Sequence, residues 1–212
     1  MFVATSTRPA RRAGRNRTDV LRAAGEVIAA RGVEGTRFSD VSAASGVPVS
    51  TLQYYFGNRE DMIVAVLRNV GAEEIVLLQR TLDETDHSSP WQQLVGLIRV
   101  GVAQESTSPV HTWRLWVELW RSAMRDDELR ADALNVARRW RELLITVIER
   151  GQRAGEFRGD VSAMTVAHQT MCLMDGVGIP AALADPTLTS PLPLVTEAVA
   201  ALLGVESEPL AD

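Results

Sequence analysis

Apolar residues in this chain recur every three or four positions and nowhere alternate one-by-one for long enough to make a convincing strand, and this periodicity confines the chain to helices. The first stripe is Val20, Leu21, Ala24, Val27 and Ile28, with Thr18 expected as its N-cap and Gly32 as its stop. Thr36 is expected to cap a second, short helix with Phe38, Val41 and Ala44 facing inward. Gly46-Val47-Pro48 makes a turn, and Leu52 and Phe56 supply the buried side of a third helix. Asn58 caps a fourth, whose first turn holds Glu60 and Asp61, where the helix dipole favours acids. It runs on through Ile63, Val66, Leu67, Val70, Leu77 and Leu78. Five more helical patterns follow. One starts at Trp91 and one after Pro109. A third, begun by Asp126 and Asp127, is ended by Gly151 and Gly155. A fourth, capped by Asp160, is expected to be loosened or kinked near its end by Gly176, Gly178 and Pro180. The last starts at Ser190 and is stopped by Gly204. The expectation is an all-α chain of about nine helices, without internal repeats or low-complexity segments.

Composition narrows the class. With 212 residues, 46% of them hydrophobic, the chain is long enough for a small domain plus a larger one. Its longest apolar runs fall well short of the roughly 20 residues of a membrane span. Arg occupies the N-terminus where a secretory signal needs an apolar core, so a cytoplasmic location is expected. Cys172 is the only cysteine, which excludes an internal disulfide and a zinc site built from several cysteines.

Charge is distributed unevenly. Residues 1–59 hold nine Arg against four acids, a net +5, which leaves −10 for the remainder of a chain whose total is −5. A basic head on an acidic body suits a head that binds a polyanion and a body that stays off it. All 22 basic residues are Arg, whose planar fork suits bidentate phosphate contacts. Residues 1–17 read as a basic arm, either a disordered tail or a segment that orders on DNA.

The two short helices around Gly46 read as a helix-turn-helix. The second carries Ser50, Thr51, Gln53, Tyr54 and Tyr55 and almost no charge, a set of side chains that hydrogen-bond or stack. With the basic arm, the preceding amphipathic helix, and Leu52-Gln53-Tyr54-Tyr55-Phe56-Gly57-Asn58-Arg59-Glu60, residues 15–62 resemble the N-terminal domain of TetR-family transcriptional regulators. Residues 113–130, 149–157 and 174–178 resemble the effector-binding domain of the same family, nearest its BetI-type branch. The resemblance implies a homodimer joined through the last two long helices, a reading helix placed in the major groove of double-stranded DNA, and a small-molecule effector bound in the body. It implies a basic arm at 1–17, a helix-turn-helix domain at 18–62, an effector and dimerisation domain at 63–205 and a tail at 206–212. The family's DNA-contact positions fall on Arg37, Val49, Ser50, Thr51, Gln53, Tyr54, Tyr55 and Arg59.

Physical chemistry divides those positions. Gln53 and Thr51 are candidates for base edges, Gln through adenine N6 and N7, and Val49 for a thymine methyl. Arg37, Arg59, Tyr54, Tyr55 and Thr36 are candidates for the phosphate backbone, which positions the protein without reading sequence. Packing of the two tyrosines against neighbouring helices is the alternative. Three residues depart from the family pattern. Pro48 stands in place of the Ser that caps the reading helix, Gln53 in place of Tyr, and Arg59 in place of Lys.

The body offers fewer markers. Trp113, Trp116, Trp120 and Met124 form one stripe, readable as ordinary core or as the wall of a ligand cavity offering a cation–π face. Met171 and Asp175 share a face with His168 and Cys172. They serve either as cavity lining with polar anchors or in the core and dimer interface. Glu118 is expected to be exposed; buried beside tryptophans, it would suit a cationic ligand, and the BetI-type branch suggests a quaternary amine by analogy. Glu84-Thr85-Asp86-His87 matches the E-x-x-H metal motif only once, in a loop, where a di-iron bundle needs two copies on facing helices. No nucleophile motif, P-loop or dinucleotide fingerprint is present. No metal and no cofactor are expected, and no enzymatic activity. The expectation is a sequence-specific DNA-binding regulator, a repressor released from a palindromic operator by an effector. The alternatives are a constitutive regulator without a ligand and a helical-bundle enzyme that carries a helix-turn-helix.

Overall fold

The computed structural model describes residues 16–103 and 108–206. Among them are nine helices and no strand: α1 Arg17–Gly35, α2 Phe38–Ser45, α3 Val49–Phe56, α4 Arg59–Glu84, α5 Pro90–Gly101, α6 Pro109–Ala123, α7 Asp127–Arg153, α8 Ala163–Ala182 and α9 Pro191–Leu203. The chain is all-α. It divides into two compact units, one ending at Val66 and the other beginning at Leu67, so the division falls inside α4. Residues 1–15 of the basic arm and most of the expected C-terminal tail lie outside the described residues.

In the first unit the expected stripe is the core. Val20, Ala24, Ile28, Val41, Leu52 and Met62 are essentially sealed from solvent. Helix α1 starts earlier than expected, because Asn16 and not Thr18 is its cap: the Asn16 side chain accepts the Asp19 amide at 2.9 Å and Asp19 returns the bond to the Asn16 amide. Gly32, at φ 72°, interrupts the helix as expected, but one more turn follows before Thr36 ends it. Thr36 therefore belongs to the end of α1 and does not cap α2. Its Oγ1 donates to the Gly32 carbonyl at 2.8 Å, and the N-cap position of α2 falls to Arg37, whose amide donates to Asp40 at 3.0 Å. Val41 is fully buried and Phe38 half-buried. The expected inward Ala44 is exposed, and Ser45 is buried in its place, where its Oγ accepts the Val47 amide. The left-handed Gly46, at φ 71°, then turns the chain into α3.

In the second unit α8 packs on α6, α7 and α9, and α5 on α7. Leu94, Leu97, Ile98, Leu144, Ile148 and Val199 are the centre of its core, each fully buried or nearly so. Each such side chain contributes roughly 2–3 kcal/mol of burial. The helix starts follow local chemistry. Ser89 and Gln92 exchange capping bonds ahead of Pro90, and Asp126 accepts the Leu129 amide at 2.9 Å, as expected for a helix begun there. Asp160 does not cap α8. It pairs with Arg158, which holds its carboxyl below the usual range, and Ser162 takes the cap. Pro180 is accommodated inside the last turns of α8, which continues to Ala182. Close approaches join the layers: a Cβ on Gly178 of α8 would overlap the Trp113 ring of α6, and one on Gly151 of α7 would overlap Phe157. Among the described residues no helix is long and apolar enough to cross a membrane.

Candidate DNA-reading helix and ligand cavity

Helix α3 has two sides. Leu52 and Phe56, four residues apart, are buried and anchor it. The Phe56 ring also lies under the Arg17 guanidinium, 5.2 Å from its centroid, which ties the start of α1 to the end of α3. On the outer side Ser50, Gln53 and Tyr54 are exposed, Tyr54 at 86% and Val49 at 36%. Thr51 and Tyr55 are half-buried, the latter edge-on to Phe56. Neither tyrosine is buried in the core. Pro48 offers no side-chain cap. Its carbonyl accepts the Thr51 and Leu52 amides at 2.9 and 3.1 Å, so the helix starts on a backbone turn alone.

Arg37 is exposed beside this surface. Arg59 is engaged elsewhere. Its guanidinium donates to the carbonyls of Thr36 at 2.7 Å, Glu34 at 3.2 Å and Val33, all at the end of α1. They lie where the helical ladder runs out, and Arg59 supplies side-chain donors to them from across the domain; the Val33 carbonyl also accepts the Thr36 amide. The guanidinium expected to hold a phosphate here fastens the end of α1 to the start of α4. Thr36, also expected among the backbone contacts, is fully buried and cannot reach DNA. Asn58 does cap α4 as expected, accepting the Asp61 amide at 2.8 Å.

The second unit holds a partly open cavity of about 120 Å³. Trp113, Trp116 and Trp120 of α6, Trp140 of α7, and Met171, Met174 and Asp175 of α8 line it, together with Glu74 of α4. The five candidate ligand residues Trp113, Trp116, Trp120, Met171 and Asp175 thus share one cavity. The tryptophan stripe is core and wall at once: Trp113 is 4% exposed, while the Trp116 and Trp120 rings stand 5.9 Å apart and half-buried. Met124, the stripe's fourth member, is not part of it and is exposed. His168 and Cys172 are likewise exposed and off the cavity. Glu118, expected on the surface, is largely covered and paired with Arg121 at 2.9 Å.

Glu74 and Trp140 are the cavity residues the sequence reading missed as a site. The signal for Glu74 was present: it interrupts the stripe Leu67, Gly71, Leu78 at helical spacing. Burial in an apolar surrounding pushes its carboxyl up to about 7, against a smaller opposing pull from a hydrogen bond with Trp140. Asp175 sits at the exposed rim of the cavity, and partial burial of its carboxyl raises it too. The Trp113 indole N–H is buried without a hydrogen-bond partner. An aromatic box holding two carboxylates is chemistry for a cation. Among the described residues no group of three or more His, Cys, Asp or Glu gathers as a metal site.

Comparison with known proteins agrees with both halves. Residues 20–66 match the model of the bacterial regulatory proteins of the tetR family, and residues 90–204 match that of the BetI-type transcriptional repressor C-terminal domain. The chain is 27% identical over 128 residues to the HTH-type transcriptional regulator BetI of Rhizobium meliloti (strain 1021); the match spans 58% of this chain and 59% of that relative. A putative transcriptional regulator from Saccharomonospora viridis, solved in complex with choline, has a similar fold at TM-score 0.74 and 23% identity, covering 90% of this chain and 96% of that one. FadR from Bacillus subtilis, in complex with stearoyl-CoA, shares the fold at TM-score 0.68 and 18% identity, with 89% and 98% covered. This family is one of transcriptional regulators and not of enzymes. The chain belongs to the TetR family of DNA-binding transcriptional regulators and carries a BetI-type C-terminal domain.

Proposed function

We propose that the protein is a homodimeric repressor that holds a palindromic operator and leaves it when a small alkylated ammonium ion fills the tryptophan cavity. The observation that carries this reading is the cavity itself: four tryptophans around a space that holds two carboxylates. A quaternary ammonium cannot donate strong hydrogen bonds, so aromatic faces and a nearby negative charge are what recognise it; each well-placed face contributes roughly 0.5–2 kcal/mol. Volume argues in the same direction. About 120 Å³ suits a small ion. A long acyl thioester, such as the one held by the Bacillus subtilis relative, needs a far larger space, and drug-sized ligands take roughly 300–1,000 Å³. The helix that carries Glu74 also carries Arg59, so one element touches both the cavity and the fastening of the DNA-reading domain.

On the DNA, Gln53 and Thr51 read base edges, with Val49 against a thymine methyl; Ser50, Tyr54, Tyr55 and Arg37 hold the backbone. The exposed apolar residues Met164 and Ile179 of α8, Leu183 just after it and Leu194 of α9 support pairing of two copies through these helices. The test is a binding-site selection with the purified protein, followed by titration of the selected duplex with choline and with stearoyl-CoA. Release by choline and not by the acyl thioester is expected. Retention of the operator at millimolar choline would refute the effector assignment, and failure to select any palindrome would refute the repressor model.

A further inference from the structure

Glu74 and Asp175 come from two helices, α4 and α8, yet line a single cavity whose other walls are apolar or aromatic. Among the described residues no Arg or His lines it: α5 contributes Gly101, α6 three tryptophans, and α7 Ala133, Val136, Ala137 and Trp140. Arg141 of α7 is not among the lining residues, and its Nε is buried without a hydrogen-bond partner; other basic side chains on these helices are engaged elsewhere. Arg68 binds Asp132 and Glu128, Arg114 donates to the Ala182 carbonyl, and Arg121 pairs with Glu118. An ionised Glu74 therefore has an indole N–H for company, no basic side chain in the cavity lining among the described residues, and a second acid across the cavity. A carboxyl in that position stays neutral by keeping a proton.

We infer that the cavity is a cation-for-proton exchange site, in which entry of the cationic effector expels the proton held by Glu74 to solvent, so that acidity and effector compete for one carboxylate. This rests on the cationic-effector reading above and adds its regulation. The carboxyl O–H bond breaks, the proton leaves to water, and the carboxylate pairs with the cation, so charge in the cavity is conserved. Raised to about 7, Glu74 stands where the competition acts near neutrality. Below that pH the apparent affinity falls by up to about tenfold per unit; above it the affinity levels off. The same effector concentration then releases the operator less readily in a more acidic medium.

The experiment is isothermal titration of the full-length protein with choline, which does not titrate in this range, at pH 6, 7 and 8 in two buffers of different ionisation enthalpy. Expected is release of about 0.9 proton per bound cation at pH 6 and about 0.1 at pH 8. In Glu74→Gln, expected binding is pH-independent and releases no proton, whereas Asp175→Asn keeps most of the release. Cation binding without proton release in the unaltered protein overturns the inference and leaves the effector reading standing. Proton release that survives in Glu74→Gln overturns the assignment to Glu74. No binding at any of the three pH values overturns the effector reading and this inference with it. The unaltered protein's two-buffer result decides the matter even where a variant fails to fold.

Discussion

Three residues separate what a side chain is from what its surroundings make of it. Gln53 is exposed on α3 and free to present both ends of its amide. Gln53→Ala is expected to relax base preference at one position of each half-site, read by repeating the site selection; an unchanged preference would remove it from base reading. Arg59 looks like its neighbours in sequence but is spent on three carbonyls of its own domain. Its removal takes a charged donor from each of them, so Arg59→Ala is expected to lower the stability of the DNA-binding domain by about 2 kcal/mol, with partial recovery in Arg59→Lys. A purely phosphate-binding role predicts an unchanged denaturation midpoint. Glu74 works in the opposite sense. Its folded carboxyl, at about 7, lies above the ordinary 4.5, so the folded state holds the extra proton and stability falls as pH rises from 4.5 to 7. Glu74→Gln removes that penalty. It is expected to be more stable than the parent at pH 8 by on the order of 2 kcal/mol, a difference that shrinks below about pH 5, measured by denaturant unfolding at both pH values.

The elements show how far local pattern carries. Helix starts fixed by a side chain meeting an amide three residues on, such as Asn58 and Asp126, were legible because capping is a local bond. Thr18, Thr36 and Asp160 were misassigned because another polar residue stood within two positions of each, and the path of the chain chose between them. The inward face of α2 slipped by one, from Ala44 to Ser45, because the left-handed Gly46 fixes how this short helix meets α3. Between α6 and α8 one close contact is a ring on a bare backbone, Trp113 against Gly178. Gly178→Ala puts a methyl into that ring and is expected to destabilise the second unit by about 1–3 kcal/mol. Because Trp113 also walls the cavity, choline affinity should fall with it; a melting temperature equal to the parent's would show that the ring moves aside freely.

At the scale of the whole molecule, the uneven charge fits a regulator whose basic first fifty-nine residues approach DNA while the acidic remainder stays clear. The side chains exposed at the end of α8 and just after it include Ile179 at 52% and Leu183 at 74%, too apolar a pair to leave in water without a reason. On the proposed pairing through this face, Leu183→Glu is expected to give a monomer by light scattering and to weaken operator binding by orders of magnitude, since each half-site then binds alone. A monomeric parent protein at micromolar concentration would refute this arrangement.

By itself the sequence determined the all-α class, the order of the helices, the helix-turn-helix and the family, because each rests on periodicities and spacings confined to one stretch of chain. It also marked Trp113, Trp116, Trp120, Met171 and Asp175, through aromatic spacing and a polar residue on an apolar face. Only the tertiary structure decided that these five share a cavity with Trp140 and Glu74, that Arg59 serves the end of α1, and that Glu74 keeps its proton near neutrality. The physical reason is common to all three. Desolvation and long-range hydrogen bonding depend on which helices come together in space, and neighbours in a fold are set by packing across many residues that no local pattern records.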